Sequence, residues 1–269
     1  MTRSRRQERI IQEGAAIALS AVSLPALTPI HMATTNADPI GAALQDYLTG
    51  AQEAVITVYS DQTEPDEIPV HYLFRTWAQM PEREQFALEQ CRGIVLDVGS
   101  GAGSHALALQ EKGVEVTSLE ISEKACQVQQ ERGVKNVLCG DFFTLAPIPH
   151  DTLLLLMNGI GLAGSVDNVP HFLQTCKKWL NPAGQIILES SDILYLYEDE
   201  DGSVSLDLNA NYYGEMTYVM EYKQERSEPF KWLFLDFDLL QQYAEEAGFS
   251  AELLLQEEDA HYIARLTVV

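Results

Sequence analysis

Residues 93–103 read Gly93-Ile94-Val95-Leu96-Asp97-Val98-Gly99-Ser100-Gly101-Ala102-Gly103, and the rest of the chain is arranged around them. Ile94, Val95, Leu96 and Val98 form a short apolar run rich in β-branched side chains, the pattern of a strand buried on both faces of a parallel sheet. Three glycines follow, then a helical stretch over 104–112 that stops at Gly113. Strand, glycine turn and helix make the first half of a nucleotide-binding βαβ unit. Glycine lets the backbone turn sharply and approach a ligand with no Cβ in the way. The amides that open the next helix face that ligand. Dinucleotide folds space their glycines Gly-x-Gly-x-x-Gly, which would place the third at 104. This chain has Ser104 there, and its third glycine comes one residue early.

Downstream the pattern alternates. Strands are expected over 114–119, 136–139, 152–157 and 185–189. Helices are expected over 123–132, capped by Ser122 and stopped by Gly133, and from Asp167 or Asn168 to Asn181-Pro182-Ala183-Gly184. Such βαβ alternation argues for an α/β, doubly wound, mostly parallel sheet. The last third breaks the rhythm. Residues 194–211 are acidic and turn-like, 215–222 and 230–235 read as a hairpin, and a helix over 237–247 precedes strands over 251–256 and 261–268.

Ligands of open α/β sheets bind at the carboxyl ends of the strands. The first strand ends at Asp97 and the glycines. The second ends at Glu120, whose carboxylate can accept both hydroxyls of a ribose or merely cap the next helix. The third ends at Asp141-Phe142, an acid and an aromatic that suit an adenine, with turn chemistry as the plain alternative. The fourth ends at Asn158, followed by Gly159 and Gly161. Asn158 can hold the ligand's reacting end or an incoming nucleophile, or only cap the turn. The fifth ends at Asp192, which can orient or deprotonate a substrate, or only shape a turn.

In order and interval these residues resemble the class I S-adenosylmethionine (SAM) methyltransferases. The resemblance covers about residues 82–192, and the final helix and two strands fit the family's antiparallel closing pair. It implies a seven-stranded sheet and SAM as methyl donor. It also implies that Gly99, Ser100, Gly101 and Gly103 wrap the methionyl end, with Asp97 serving its amino group. Glu120 and Ile121 would meet the ribose side, Asp141 and Phe142 the adenine, and Asn158 the reacting end. The chain lacks the Asn-Pro-Pro-Tyr and Asp-Pro-Pro-Tyr signatures of exocyclic-amine enzymes and the Pro-Cys of cytosine-C5 enzymes. The resemblance therefore leaves the acceptor atom open.

Residues outside the resemblance are expected to build the acceptor site. Segment 32–92 reads as an N-terminal helical lid, with helices over 40–48 and 81–91 and a loop over 61–69. Residues 93–269 read as the SAM-binding domain, with a lid-like insertion at about 194–235. Tyr72, Arg75, Trp77, Tyr212 and Tyr213 are candidates for covering a small, partly apolar acceptor. The aromatic stretch 70–77 can equally be packing on the sheet. Asp192, His71 and His261 are candidate bases by residue type alone.

Composition bounds the partners. The 269 residues carry a formal net charge of −23, and four of the 17 basic residues, Arg3, Arg5, Arg6 and Arg9, lie in the first 31. So acidic a body repels phosphate backbones, which argues against nucleic acid as substrate. Residues 1–31 read as a disordered extension, with Met32 a plausible start, and their apolar run is too short to span a membrane. Cys91, Cys126, Cys139 and Cys176 show no metal-ligand spacing and suit reduced thiols in the cytoplasm. No metal is expected, and the sequence does not speak to oligomeric state. The expected activity is methyl transfer to an oxygen or nitrogen of a small molecule. Competing readings are a nicotinamide-dependent oxidoreductase, a protein- or RNA-directed methyltransferase and a non-catalytic SAM-binding module.

Overall fold

Two sheets flank the glycine turn. The computed structural model describes residues 37–199, 203–204 and 211–269, all within the unit Met32–Val269. The extension read over 1–31, and part of the 194–211 stretch, lie outside the described residues. Helix α1 (Pro39–Leu48) opens at Asp38, whose carboxylate accepts the Gly41 amide at 2.8 Å. Strands β1 (Val55–Ser60) and β2 (Asp66–Pro69) pair antiparallel. Two 3-10 turns, Val70–Phe74 and Trp77–Gln79, lead to α2 (Glu82–Glu89). Then come β3 (Val95–Val98), α3 (Ser104–Glu111), β4 (Val116–Glu120), α4 (Glu123–Arg132), β5 (Val137–Cys139), β6 (His150–Leu155), α5 (Val169–Lys178) and β7 (Leu180–Ser191). Strands β8 (Glu215–Tyr222), β9 (Glu225–Arg226) and β10 (Phe230–Leu233) precede α6 (Phe237–Glu246). The antiparallel pair β11 (Phe249–Gln256) and β12 (His261–Val268) closes the chain.

The larger sheet has seven strands in the order β11-β12-β7-β6-β3-β4-β5. Strands β7, β6, β3, β4 and β5 are parallel, and β12 is antiparallel to both its neighbours, so the sheet is mixed. Its apolar strands alternate between two cores, as a period of two requires. Leu96, Leu153, Leu155, Ile186 and Leu188 face α5 and α6. Val95, Leu154 and Ile187 face α2 and α3. Each such side chain, removed fully from water, contributes roughly 1.5–3 kcal/mol. The chain leaves β3 toward β4 on one side and toward β6 on the other, so the carboxyl ends of β3 and β6 border the switch point where ligands of such sheets sit.

The second sheet departs from the expected organisation. It has five strands in the order β10-β8-β1-β2, with β9 on β8. The expected hairpin partners do pair (Phe230 opposite Tyr218), but β8 also pairs with β1 (Val58 opposite Met220). Segment 32–92 is therefore not simply a helical lid: β2 falls within the stretch read as a loop, and α2 buries Ala87 and Leu88 in the larger sheet's core. The run Val55-Ile56-Thr57-Val58-Tyr59 has strand character, but its partner lies far along the chain. Ile56, Val58 and Tyr222 pack with Leu44 of α1 and with Ala125 and Val128 of α4. Ala102 of the glycine turn belongs to the same cluster, so the second sheet is anchored beside that turn.

Candidate cofactor cleft at the carboxyl ends of the strands

The glycine turn leaves β3 with Gly99, Gly101 and Gly103 at φ of 69°, 53° and 80°. A Cβ on Gly99 or Gly101 would meet nothing within 4 Å, so their open side is free for a ligand. Gly103 differs: a Cβ there would strike Val134 and Gln129, which makes it a packing glycine. Gln129 braces the turn, donating to Ser100 Oγ at 2.8 Å and to the Gly101 carbonyl at 2.7 Å.

Glu120 ends β4 beside this turn. Its two oxygens accept the Gly101 amide at 2.8 Å and the Ser122 amide at 2.9 Å. Burial pushes its carboxyl above the ordinary range, and those amides offset the rise in part. Each oxygen keeps a second lone pair for a ligand hydroxyl. Neighbouring Ile121 is 43 % exposed, an apolar side chain left uncovered at the strand ends.

Asp97 is 2 % exposed and its Oδ2 has no hydrogen-bond partner. Burial pushes its carboxyl up to about 6, opposed by His105 and by the Ala106 amide. A buried acceptor without a donor is costly, and a ligand ammonium would supply the donor and the opposite charge. His105 Nε2 lies 2.9 Å from Glu84 Oε2, and Glu84 also pairs with Arg75.

Several expected contacts are placed differently. Arg75 is 5 % exposed, and its guanidinium is engaged by Glu84 and by the Tyr72 carbonyl. It is therefore a structural cation and not a free one over the cleft. Trp77 packs with the α2–α3 core, where Lys112 at the far end of α3 lies over its ring, so it does not cover the glycine turn. The Phe142 ring is 6 % exposed and stacked on Trp179 at 5.7 Å. Core packing removes that ring from contact with a base. Asp141 Oδ1 accepts the Phe143 amide at 2.9 Å in a side-chain turn.

At the end of β6, Met157 and Asn158 both take left-handed φ values, 54° and 58°. The strand thus stops two residues earlier than expected. The Met157 amide donates to Glu189 Oε2 at 2.7 Å. Asn158 Nδ2 donates to the Leu233 carbonyl at 2.9 Å, and its buried Oδ1 is unpartnered. The Trp232 indole lies against Gly161, where a Cβ would come within 2.0 Å of it.

The second sheet then crosses the ends of β6 and β7. Ser190 Oγ donates to the Leu235 carbonyl at 3.0 Å, and the Tyr262 hydroxyl donates to the same carbonyl at 2.6 Å. Tyr213 OH donates to Asp192 Oδ1 at 2.7 Å, and Tyr212 OH to Asp236 Oδ2 at 2.6 Å. The two rings lie 4.4 Å apart. Burial, and for Tyr213 the Asp192 carboxylate, push both phenols up, so they remain donors. Tyr72 is half-buried, with the Arg75 guanidinium 4.1 Å from its ring centre. His71 is exposed on its 3-10 turn. His261 begins β12 beside Asp259 (3.1 Å), and with Glu257 these bring three possible ligand atoms within 4.8 Å of one another. Glu257 is already paired with Arg83 at 3.1 Å. Sequence reasoning missed Glu84, His105 and Glu189. An acid directly after the apolar run Ile186-Ile187-Leu188 is the weaker signal that marks Glu189.

The family described as a methyltransferase domain matches residues 96–188. The crystal structure of a SAM-dependent methyltransferase from Bacteroides fragilis, in complex with S-adenosyl-L-homocysteine, is 44 % identical. The match covers 86 % of this chain and 95 % of that one, with a TM-score of 0.81. SAM-bound CalS10, an amino pentose methyltransferase from Micromonospora echinaspora, is 17 % identical over 72 % and 92 % of the two chains (TM-score 0.50). The CcbJ methyltransferase from Streptomyces caelestis is 16 % identical over 72 % and 99 % (TM-score 0.53). At such identities the last two likenesses are of fold alone. No curated protein sequence matches the chain.

Proposed function

The chain belongs to the class I SAM-dependent methyltransferases, and within that family we propose that it methylates an oxygen or nitrogen of a small-molecule acceptor. The observation that carries this reading is the end of β10 and the segment after it, laid across the ends of β6 and β7. Its carbonyls at Leu233 and Leu235 are held by Asn158, Ser190 and Tyr262. A roof tied at these points favours a compact acceptor over a polymer. The acid beneath it, Asp192, accepts rather than donates. Arg75 and Arg83, the arginines around Tyr72, are already paired with Glu84 and Glu189. Such surroundings suit an acceptor that brings its own O–H or N–H.

The cofactor, when bound, supplies a methyl group activated on a positive sulfur. Transfer breaks the carbon–sulfur bond and forms a carbon–oxygen or carbon–nitrogen bond, so the chain mainly has to align the partners, which can lower the barrier by roughly 7–11 kcal/mol at most. Asp97 would hold the cofactor's ammonium and Glu120 its ribose hydroxyls. Asp192, oriented by Tyr213, receives the acceptor's proton. No helix among the described residues is long and apolar enough to cross a membrane. The four cysteines are free thiols, which supports the cytoplasm as compartment, and the acidic surface argues against nucleic acid as partner. The test is incubation with SAM and panels of low-molecular-weight amines and alcohols, following methylated product and S-adenosylhomocysteine by mass. Product is expected from a panel member. Methylation of intact RNA or protein, with none of any small molecule, would contradict the reading.

A further inference from the structure

We propose that Glu189 is a positioning residue for the methionyl end of the cofactor, acting through the Met157 amide to aim Asn158. This rests on the reading of Asn158 as a cleft residue. Two adjacent left-handed residues are unfavourable without glycine, for methionine more than for asparagine, and Met157 and Asn158 form such a pair. They persist only where the surroundings over-determine them, which is common at ligand clamps. Three hydrogen bonds do so here. Glu189 Oε2 accepts the Met157 amide at 2.7 Å, the Leu233 carbonyl accepts Asn158 Nδ2 at 2.9 Å, and the Asn158 carbonyl accepts the Gly161 amide at 2.9 Å.

Glu189 is 2 % exposed and directly follows the buried apolar run Ile186-Ile187-Leu188 of β7. The fold alone does not call for a carboxylate there, since a neutral side chain would avoid the desolvation of a buried charge. Arg83 of α2 supplies its counter-charge, with Nε 3.0 Å from Oε1, and reaches on to Glu257 at 3.1 Å. A chain of contacts therefore runs from α2 through β7 to the end of β6. Because Asn158 Nδ2 is committed to Leu233, its Oδ1 points the other way and is buried without a donor. Asp97 Oδ2, at the end of the neighbouring strand β3, is likewise buried without one. One ammonium has three N–H donors, enough to serve both oxygens. Removing Glu189 releases the turn and takes Asn158 Oδ1 out of that shared site.

Calorimetric titration with S-adenosylhomocysteine and with 5′-methylthioadenosine, which lacks the amino-acid portion, tests this on the full chain. Glu189→Ala and Asn158→Ala are each expected to weaken S-adenosylhomocysteine about tenfold while leaving methylthioadenosine nearly unchanged. The double variant should be no weaker than Asn158→Ala alone, because coupled residues do not add. Glu189→Gln keeps an oxygen for the Met157 amide and should stay close to wild type. Adding Met157→Gly to Glu189→Ala should restore affinity, since glycine needs no clamp at that φ. Equal weakening of both nucleosides in Glu189→Ala, additive losses in the double variant, or unchanged binding in Asn158→Ala would each overturn the proposal. If Glu189→Ala does not fold, Glu189→Gln decides: equal, marked weakening of both ligands overturns the proposal, and selective or negligible change upholds it. A wild-type chain that binds S-adenosylhomocysteine but methylates no small molecule would instead overturn the proposed function and leave this inference standing.

Discussion

The two ends of the cleft are prepared in opposite ways. At the glycine turn, Asp97 is buried with one oxygen unpartnered. At the proposed acceptor end, Asp192 and Asp236 already accept the phenols of Tyr213 and Tyr212 at 2.7 and 2.6 Å. The first arrangement is unfavourable until a cation arrives, so its residues govern affinity. The second is satisfied in advance, so its residues govern orientation and turnover. On the proposed reading a buried unpartnered oxygen marks where the cofactor goes, whereas a hydrogen-bonded carboxylate marks what the fold keeps still.

Four substitutions can break or sharpen that contrast. The largest effect is expected at Asp97. Asp97→Asn should weaken S-adenosylhomocysteine by about 100-fold or more and yet stabilise the ligand-free protein. The sign follows from its carboxyl being raised from 3.8 to about 6. A raised folded-state value stabilises fully below the unfolded value, and that contribution is lost as pH rises through the folded one. The gain in Asp97→Asn should therefore appear in thermal melts at pH 8, on the order of 3 kcal/mol at most, and shrink toward pH 4. A loss of stability at pH 8 would break the contrast.

Next in size, Asp192→Asn should lower turnover about 100-fold while leaving the calorimetric affinity for S-adenosylhomocysteine unchanged. A matching loss of affinity would place Asp192 at the wrong end. Glu120→Ala should weaken cofactor binding about 30-fold with little change in acceptor KM. The smallest effect is expected of Tyr213→Phe, about fivefold in turnover, because Asp192 retains the Leu194 amide at 2.9 Å.

The same contrast runs through what the chain reveals before folding. The glycine turn, the alternating strands, the Ser122 cap and the Gly133 stop are local patterns, each complete within a few residues, and so are legible in sequence. The second sheet is not, because Val58 of β1 pairs with Met220 of β8 and nothing local names that partner. Arg75 reads as a candidate for covering the acceptor because Glu84, which engages it, lies on another element. The Phe142 ring reads as a contact for the base because an aromatic beside an acid does not reveal that the ring faces Trp179. Exposed Ile121 is one of the apolar side chains left uncovered at the strand ends. Asp97, a charge set within an apolar strand, is the most informative single residue, since the fold tolerates it only with a partner or a ligand.

The most direct test of the central claim, that buried Asp97 receives the cofactor's ammonium, is the affinity for S-adenosylhomocysteine measured by calorimetry from pH 5 to pH 8. Ionised Asp97 binds the ammonium, so affinity in the wild type should be steady above about 6 and fall below it by up to about tenfold per pH unit. In Asp97→Asn it should be weak and flat across that range. A wild-type affinity that does not change with pH, matched by tight binding in Asp97→Asn, would contradict the account.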